Sequence, residues 1–215
     1  IATATQPTTP DFANATHLRS TITSAVAVNS STVIASWRVG SAGAFTTIPM
    51  TILSGTTTSG TWQTSTAIPV QPGGTRIEYF VNAADTAGTA ARDPITGQNM
   101  FTVRAAAPPA ITVSTIPAQP RFDQVTTFNA TITAELGVQT GTPILFYRTG
   151  AAGAFTELLM TLQTGTVANG TWQTAPIAAL PGGTIVQYYA QATDTAGTTA
   201  RQPAAGTLSF SVFVP

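Results

Sequence analysis

The chain has 215 residues, of which only 7% are charged, and its eight basic and eight acidic side chains leave no formal net charge. A neutral chain lacks the basic surface that binding to nucleic acid or to anionic lipid requires, so we expect neither partner. The absence of cysteine excludes disulfides and thiolate metal sites, and no apolar run is long enough to insert into a membrane.

The chain contains an internal repeat. Trp-Arg-Val-Gly at residues 37–40 returns as Tyr-Arg-Thr-Gly at residues 147–150, an offset of 110 residues. At the same offset, Gly-Thr-Trp-Gln-Thr at residues 60–64 returns unchanged at residues 170–174. After one deletion the offset becomes 109, and the later turn motifs remain in register. So many matches predict two copies of one domain, each of the size of a β-sandwich.

The two copies meet at a Pro-rich junction. We place the first domain at residues 1–106 and the second at residues 107–215, with Pro108 and Pro109 just after the boundary. Proline lacks an N–H donor and fixes φ, so this stretch cannot continue a sheet. Because Pro-Pro is also stiff, we expect a short, semi-rigid linker.

Apolar and polar residues alternate along most of each copy, which indicates strands. In the first copy the alternation passes through Met50 and Trp62, and then through a run at residues 75–83 that places Ile77 and Tyr79 on one face. Gly-Gly and Ala-Gly pairs separate the runs and are typical of turns. Short strands with regular turns, and no capped helical segment, predict an all-β fold with one antiparallel β-sandwich per copy.

Some of these motifs resemble known modules. Pro-Gly-Gly-Thr at residues 72–75 and Asp-Thr-Ala-Gly at residues 85–88 flank an alternating run, as in the F strand and the following turn of fibronectin type III modules. The Trp-Arg, Tyr-Arg and Gly-Thr-Trp stretches resemble immunoglobulin-like repeats of bacterial surface or secreted proteins. Ile77 and Val186 stand where fibronectin modules have a corner tyrosine. The resemblance therefore implies the architecture, two tandem immunoglobulin-like antiparallel β-sandwich domains, with roles in adhesion, spacing or carbohydrate-associated display.

No catalytic constellation is recognisable. The single histidine, His17, corresponds to Thr127 in the second copy, and no oriented nucleophile accompanies it. The eight acidic residues are scattered, so the paired carboxylates of glycoside hydrolysis are missing as well. We therefore predict that the chain is not an enzyme and that it has no catalytic residue and no cofactor.

Two aspartates, Asp85 and Asp194, correspond between the copies. Each precedes Thr-Ala-Gly, where a carboxylate can bond the turn backbone and Gly can adopt a positive φ. We interpret both as turn residues. A weak calcium site at either turn stays open as an alternative, although calcium needs several oxygen ligands. The nearest further ligand, Asp93, becomes Gln202 in the second copy.

The two repeated tryptophans, Trp62 and Trp172, share the parity of core positions. A buried tryptophan commonly anchors a sandwich, so we expect both to pack in the cores rather than to stack on a sugar.

Other aromatic residues are predicted to face outward. If Tyr147 points into the core of the second copy, Phe146 and Arg148 beside it point outward, as does Tyr189 on the neighbouring strand. Exposed aromatics beside Arg form a candidate ligand face for a glycan or a protein. The alternative is a covered face, which in the first copy would hold a cross-strand pair of an arginine and a glutamate, Arg38 and Glu78.

These features predict a non-catalytic tandem module of an exported bacterial protein, secreted or at the cell surface, that acts as a spacer, a stalk or an adhesive binding module. The alternative is a pair of carbohydrate-binding accessory domains of a secreted hydrolase. We expect the chain to be a monomeric fragment of a larger protein, since it starts at Ile1 and ends inside a predicted strand at residues 208–215. A glycan or another surface protein is the expected partner.

Overall fold

The computed structural model describes residues 1–214, which form β-strands, turns and one short 3-10 helix. The chain divides into two compact units, Ile1–Ala106 and a second unit that begins at Ala107. Each unit is built from antiparallel strands that enclose a core of its own. The predicted all-β fold with two tandem β-sandwich domains is confirmed.

The two domains have the same elements in the same order. The first contains β1 (Ala2–Gln6), β2 (His17–Thr23), the 3-10 helix (Ser30–Thr32), β3 (Ile34–Val39), β4 (Thr46–Gly55), β5 (Ser59–Thr64), β6 (Arg76–Ala84), β7 (Ala90–Asp93) and β8 (Asn99–Thr102). The second contains β9 (Ala110–Ile116), β10 (Thr127–Thr133), β11 (Ile144–Thr149), β12 (Thr156–Gly165), β13 (Asn169–Thr174), β14 (Ile185–Thr193), β15 (Thr199–Gln202) and β16 (Leu208–Ser211).

One long strand connects the two layers of each sandwich. In the first domain the strand order is β1-β2-β5-β4-β3-β6-β7. Strand β8 also pairs with β6, along residues 76–79, whereas β7 pairs with residues 81–84. The first part of β4, residues 46–49, pairs with β3, whereas the part from Met50 onward pairs with β5. The second domain repeats this order, and β12 changes partner at Met160. Both methionines are buried at the crossover.

Each core lies between the two layers. In the first domain Trp62 on β5 is 1% exposed, and on β6 Ile77, Tyr79 and Val81 are buried, as the alternation predicts. The core of the second domain surrounds Phe128, whose ring contacts other aromatic rings of the cluster. No helix in residues 1–214 is long and apolar enough to cross a membrane.

The glycine and the tryptophan of the repeated Gly-Thr-Trp motif have different structural roles. Its glycine allows a close backbone approach, because a Cβ on Gly60 would lie 2.5 Å from the carbonyl oxygen of Thr56 and 3.0 Å from that of Ser54. Its tryptophan fills the core, and Trp172 is 6% exposed in the second domain. The expected core positions of both repeated tryptophans are therefore confirmed, whereas their indole N–H groups are buried without an acceptor.

Candidate functional site

The predicted ligand face lies on the outer surface of the layer formed by β11 and β14. Phe146 on β11 is directly opposite Tyr189 on β14, and Arg148 is opposite Gln187. Tyr147, between the two β11 residues, packs against the core, as expected from the alternation. The structure thus places Phe146, Arg148 and Tyr189 on one face, where all three are partly buried.

The aromatic rings of this face form a compact cluster. Phe146 stacks on Tyr189 with ring centroids 4.6 Å apart and planes only 9° from parallel. The ring of Phe155, which comes from the turn before β12, meets Tyr189 edge-on at 5.1 Å and 70°. Such stacked and edge-on pairs stabilise a fold beyond the burial of their surface. The rings therefore support one another and cover the sheet.

Arg148 closes one end of the cluster. Its guanidinium carbon lies 4.6 Å from the centroid of Phe155. Its Nε and Nη2 donate to the side-chain oxygen of Gln187 at 2.9 and 2.7 Å, and its Nη1 donates to the carbonyl of Gly153 at 3.0 Å. The arginine thus connects three parts of the domain, and three of its N–H groups already have acceptors.

Arg201 closes the other end, and the sequence analysis missed it. Its guanidinium carbon lies 3.8 Å from the centroid of Tyr189. Its Nη1 donates to the carbonyl of Pro203 at 2.8 Å and its Nη2 to that of Gly206 at 2.5 Å. The signal that could have identified it was the repeat itself, because Arg92 precedes Arg201 by 109 residues. We call Arg148, Phe155, Tyr189 and Arg201 the arginine–aromatic row of the second domain.

The first domain has a matching row. Arg38 lies 4.4 Å from the ring centroid of Phe45, which meets Phe80 edge-on at 5.0 Å, and Arg92 lies 4.1 Å from the centroid of Phe80. Both arginines also donate to loop carbonyls, those of Gly43 and Pro94. All four members of the row therefore recur at equivalent positions. Cations over aromatic faces contribute about 0.5–1 kcal/mol each at such partly exposed sites.

The two rows differ in the side chain that accepts hydrogen bonds from the first arginine of each row. In the first domain Arg38 donates through Nε and Nη2 to Glu78 at 3.0 and 2.7 Å, and Arg76 donates to the other carboxylate oxygen at 2.6 Å. The Glu78 side chain is only 5% exposed. In the second domain Gln187 replaces this carboxylate, and Ile185 replaces Arg76. The expected cross-strand pair of Arg38 and Glu78 is confirmed.

The surroundings of Glu78 favour its ionised form. Hydrogen bonding from Arg38 lowers the pKa of this carboxyl below its ordinary value of 4.5; burial opposes the shift, and the charges of Arg38 and Arg76 add to it. The pKa of Asp11 in the same domain is also lowered, first of all by the Asn14 side-chain amide. Glu78 and Asp11 have no carboxyl counterpart in the second domain, where the equivalent residues are Gln187 and Arg121.

We expect acid to destabilise the first domain through Glu78 and Asp11. A carboxyl with a lowered pKa in the folded state contributes stability that is present above its ordinary pKa and is lost as the pH falls through the lowered value. Between pH 6 and pH 3, about the range that spans these values, the unfolding midpoint of the first domain should fall. Calorimetric scans across this range, with the two transitions assigned by domain-specific variants, measure the decrease.

The variant Glu78→Gln supplies the matched control for the acid effect. It gives the first domain the side chain that the second domain carries, and it should flatten the pH dependence of the first midpoint between pH 6 and pH 3. The same slope of the first midpoint in Glu78→Gln as in the unmodified chain would contradict the assignment of acid sensitivity to Glu78.

The repeated aspartates are turn residues, as interpreted from the sequence. The Oδ1 of Asp85 accepts the backbone N–H groups of Ala87 and Thr89 at 3.0 and 2.8 Å. Asp194 does the same with Ala196 and Thr198 at 2.9 and 2.8 Å. The glycine of each turn has a positive φ, +88° for Gly88 and +86° for Gly197. Within residues 1–214 no three His, Cys, Asp or Glu side chains form a group that could hold a metal ion.

His17 has a local structural partner. Its Nδ1 lies 3.0 Å from both the carbonyl oxygen and the hydroxyl of Thr64. This contact joins neighbouring strands, because β2 pairs with β5. The His17 side chain thus adds a hydrogen bond between strands β2 and β5.

No known protein family matches the chain, and no curated protein matches it. The interpretation of the face therefore depends on its own geometry: two arginines, each bonded to its own domain, enclose aromatic rings that are partly exposed. Such a face can stack on a planar or sugar-ring surface, and it can equally serve as a cover for the sheet.

Proposed function

We propose that the chain is a non-catalytic tandem module of an exported bacterial protein, in which two immunoglobulin-like domains act as a spacer or stalk, or as an adhesive module. The strand order supports the immunoglobulin-like assignment. One layer contains β1, β2, β5 and the second half of β4, and the other contains β3, β6 and the strands beside β6. The first layer has four strands, like the four-strand layer of constant-type immunoglobulin domains, whereas the second layer also contains the first half of β4 and the two short strands β7 and β8.

The observation that carries the proposal is the recurrence of the arginine–aromatic row. In both domains the two arginines donate to loop carbonyls and cover a ring of the same layer. A contact that fastens two loops to a sheet maintains the shape of a domain. Its presence in both copies, with different residues beneath it, favours a structural role over a ligand that only one copy would bind.

One feature favours the alternative, a carbohydrate-binding accessory module. Phe146 occupies a position that holds Ser36 in the first domain, and its ring stacks flat on Tyr189. Ser36 is buried, whereas Phe146 and Tyr189 keep part of their rings exposed. Exposed aromatic rings are common anchors in binding sites, so a glycan site would belong to the second domain alone.

We expect no saturable binding when the chain is tested against a panel of glycans and surface polysaccharides. The panel is run with the unmodified chain and with the double variant Phe146→Ala/Tyr189→Ala, whose folding is checked by circular dichroism. Because the proposal gives these rings a covering role, the double variant should lower the midpoint of the second unfolding transition without changing any binding signal. Isothermal calorimetry on the strongest responders measures affinity.

The matched variant Phe80→Ala removes the equivalent ring of the first domain. Binding that is saturable, lost in Phe146→Ala/Tyr189→Ala and retained in Phe80→Ala would overturn the spacer proposal and establish the carbohydrate-binding alternative. Binding lost in Phe80→Ala as well would assign the ligand to a feature that both rows share.

A further inference from the structure

The outer face of the β11–β14 layer carries three residues that have no counterpart of the same kind in the first domain. They are Phe146, Glu157 and Leu159, and the first domain has serine, threonine and proline at the equivalent positions. Leu159 is 55% exposed, and the Glu157 side chain is exposed as well. The arginine–aromatic row includes neither Glu157 nor Leu159, so these two side chains have no part in fastening the loops to the sheet.

The strand register orders the residues of this face from one edge to the other. Glu157 on β12 is opposite Phe146 on β11, and Phe146 is opposite Tyr189 on β14. Arg201 lies on β15, the next strand, opposite Gln191, and its guanidinium covers the Tyr189 ring. The face therefore has a carboxylate at one edge, an arginine at the other edge and an aromatic stack between them.

The two edge charges have no ion-pair partner within residues 1–214. Arg201 donates to the carbonyls of Pro203 and Gly206, whereas Glu157 makes no hydrogen bond and no ion pair with the described residues. They are also too far apart to pair with each other, because three strand spacings, roughly 14 Å, separate β12 from β15. Each charge is thus available to a partner molecule.

A two-fold axis makes this face complementary to itself. If the axis runs along the strands, between β11 and β14 and midway between two facing sheets, it exchanges the two edges. Glu157 of each copy then lies opposite Arg201 of the other, and the stack of Phe146 and Tyr189 lies against the same stack. Packed sheets are about 10 Å apart, a gap that glutamate and arginine side chains can bridge. A threonine replaces Glu157 in the first domain, so that domain lacks this complementarity.

We propose that the second domain pairs with the second domain of another copy of this chain through the outer face of β11 and β14. The contact is isologous, with the Phe146–Tyr189 stacks at its centre and a Glu157–Arg201 ion pair at each edge. The amides of Gln187 and Gln191, on the same face, can hydrogen-bond across it. An interface of a few strands is small, so the pair is transient and the chain stays monomeric in dilute solution. The inference does not depend on the spacer role.

Sedimentation equilibrium of the full chain over a range of concentrations tests the pairing. We expect dimers to become populated at about 0.1–1 mM, as for a small transient interface, and no larger species to form. A chain that remains monomeric throughout this range would overturn the proposal, and the face would then be a cover or a site for some other ligand.

Glu157→Arg tests the edge charges. It sets like charges opposite each other at both edges and should raise the dissociation constant by more than about tenfold, since like charges across an interface are strongly unfavourable. Thr47→Arg, the same change at the equivalent position of the first domain, is the matched control and should leave the dissociation constant unchanged. Both positions are exposed, so neither variant should disturb folding. Pairing that is unchanged in Glu157→Arg, or equally weakened in Thr47→Arg, would overturn the proposal.

A mixing experiment tests the two-fold arrangement itself. Arg201→Glu alone should also fail to pair, whereas an equal mixture of Glu157→Arg and Arg201→Glu chains should pair again, because each edge then joins opposite charges. Calorimetry checks that Arg201→Glu is folded, since Arg201 covers Tyr189 and donates to two carbonyls. A mixture of folded chains that stays monomeric would overturn the two-fold arrangement, and the comparison of Glu157→Arg with Thr47→Arg decides the pairing whether or not Arg201→Glu folds.

Discussion

Replacing Trp62 by alanine is expected to destabilise the first domain by about 3–5 kcal/mol, the usual cost of removing a large aromatic side chain from a core. Trp62 is 1% exposed and is the largest fully buried side chain of the domain. Its removal leaves a cavity between the layers that the strands on either side of β5 cannot close without losing their pairing. Because the two domains have separate core clusters, the unfolding midpoint of the second domain should not move.

Urea unfolding followed by calorimetry and by the fluorescence of the remaining tryptophans measures this effect. Trp172→Ala is the mirror experiment and should destabilise the second domain alone. Trp62→Phe is the conservative control: the indole N–H has no acceptor, so a phenyl ring removes volume without breaking a hydrogen bond. We expect it to cost clearly less than Trp62→Ala, because a phenyl ring leaves a smaller cavity than a methyl group does. A comparable loss in Trp62→Phe and Trp62→Ala would contradict the cavity argument.

The fold could be predicted because the sequence contains a repeat and because apolar and polar residues alternate along its strands. On β6 each second residue from Ile77 is buried, and the same holds for β14 from Val186. Alternation reports burial directly, since successive side chains of a strand point to opposite faces. It does not report which strands are neighbours, so the change of partner within β4 at Met50 could not be predicted from it.

The outward face was predicted only in part, for a different physical reason. Phe146, Arg148 and Tyr189 were found from strand parity, but Phe155 and Arg201 lie in a turn and on an edge strand, where parity gives no guide. Their contacts are between side chains that are distant in the sequence. Ser36 shows the same limit: its parity places it outward, yet it is 5% exposed, directly opposite Phe80. Outward positions are covered wherever large side chains gather on them.

Asp194→Ala is expected to destabilise the second domain by about 2–4 kcal/mol, because it leaves two backbone N–H groups without an acceptor in a partly buried turn. Each unsatisfied buried donor costs about 1–3 kcal/mol. Asp194 itself is 1% exposed, and its Oδ1 accepts both N–H groups at under 3 Å, 2.9 and 2.8 Å. The midpoint of the second transition in urea measures the loss.

Asp85→Ala tests whether the cost comes from the two hydrogen bonds alone or from their burial. Asp85 makes the same two bonds in the first domain, but its side chain is more accessible, so water can replace the lost acceptor. We expect a loss of about 1 kcal/mol, in the range of an ordinary net hydrogen bond. Asp194→Asn keeps an acceptor oxygen in place and should recover most of the stability lost in Asp194→Ala. Equal losses of stability in Asp85→Ala and Asp194→Ala would show that the turn hydrogen bonds, and not the burial of Asp194, determine the loss. If Asp194→Asn does not recover stability, the loss is assigned to the carboxylate charge instead.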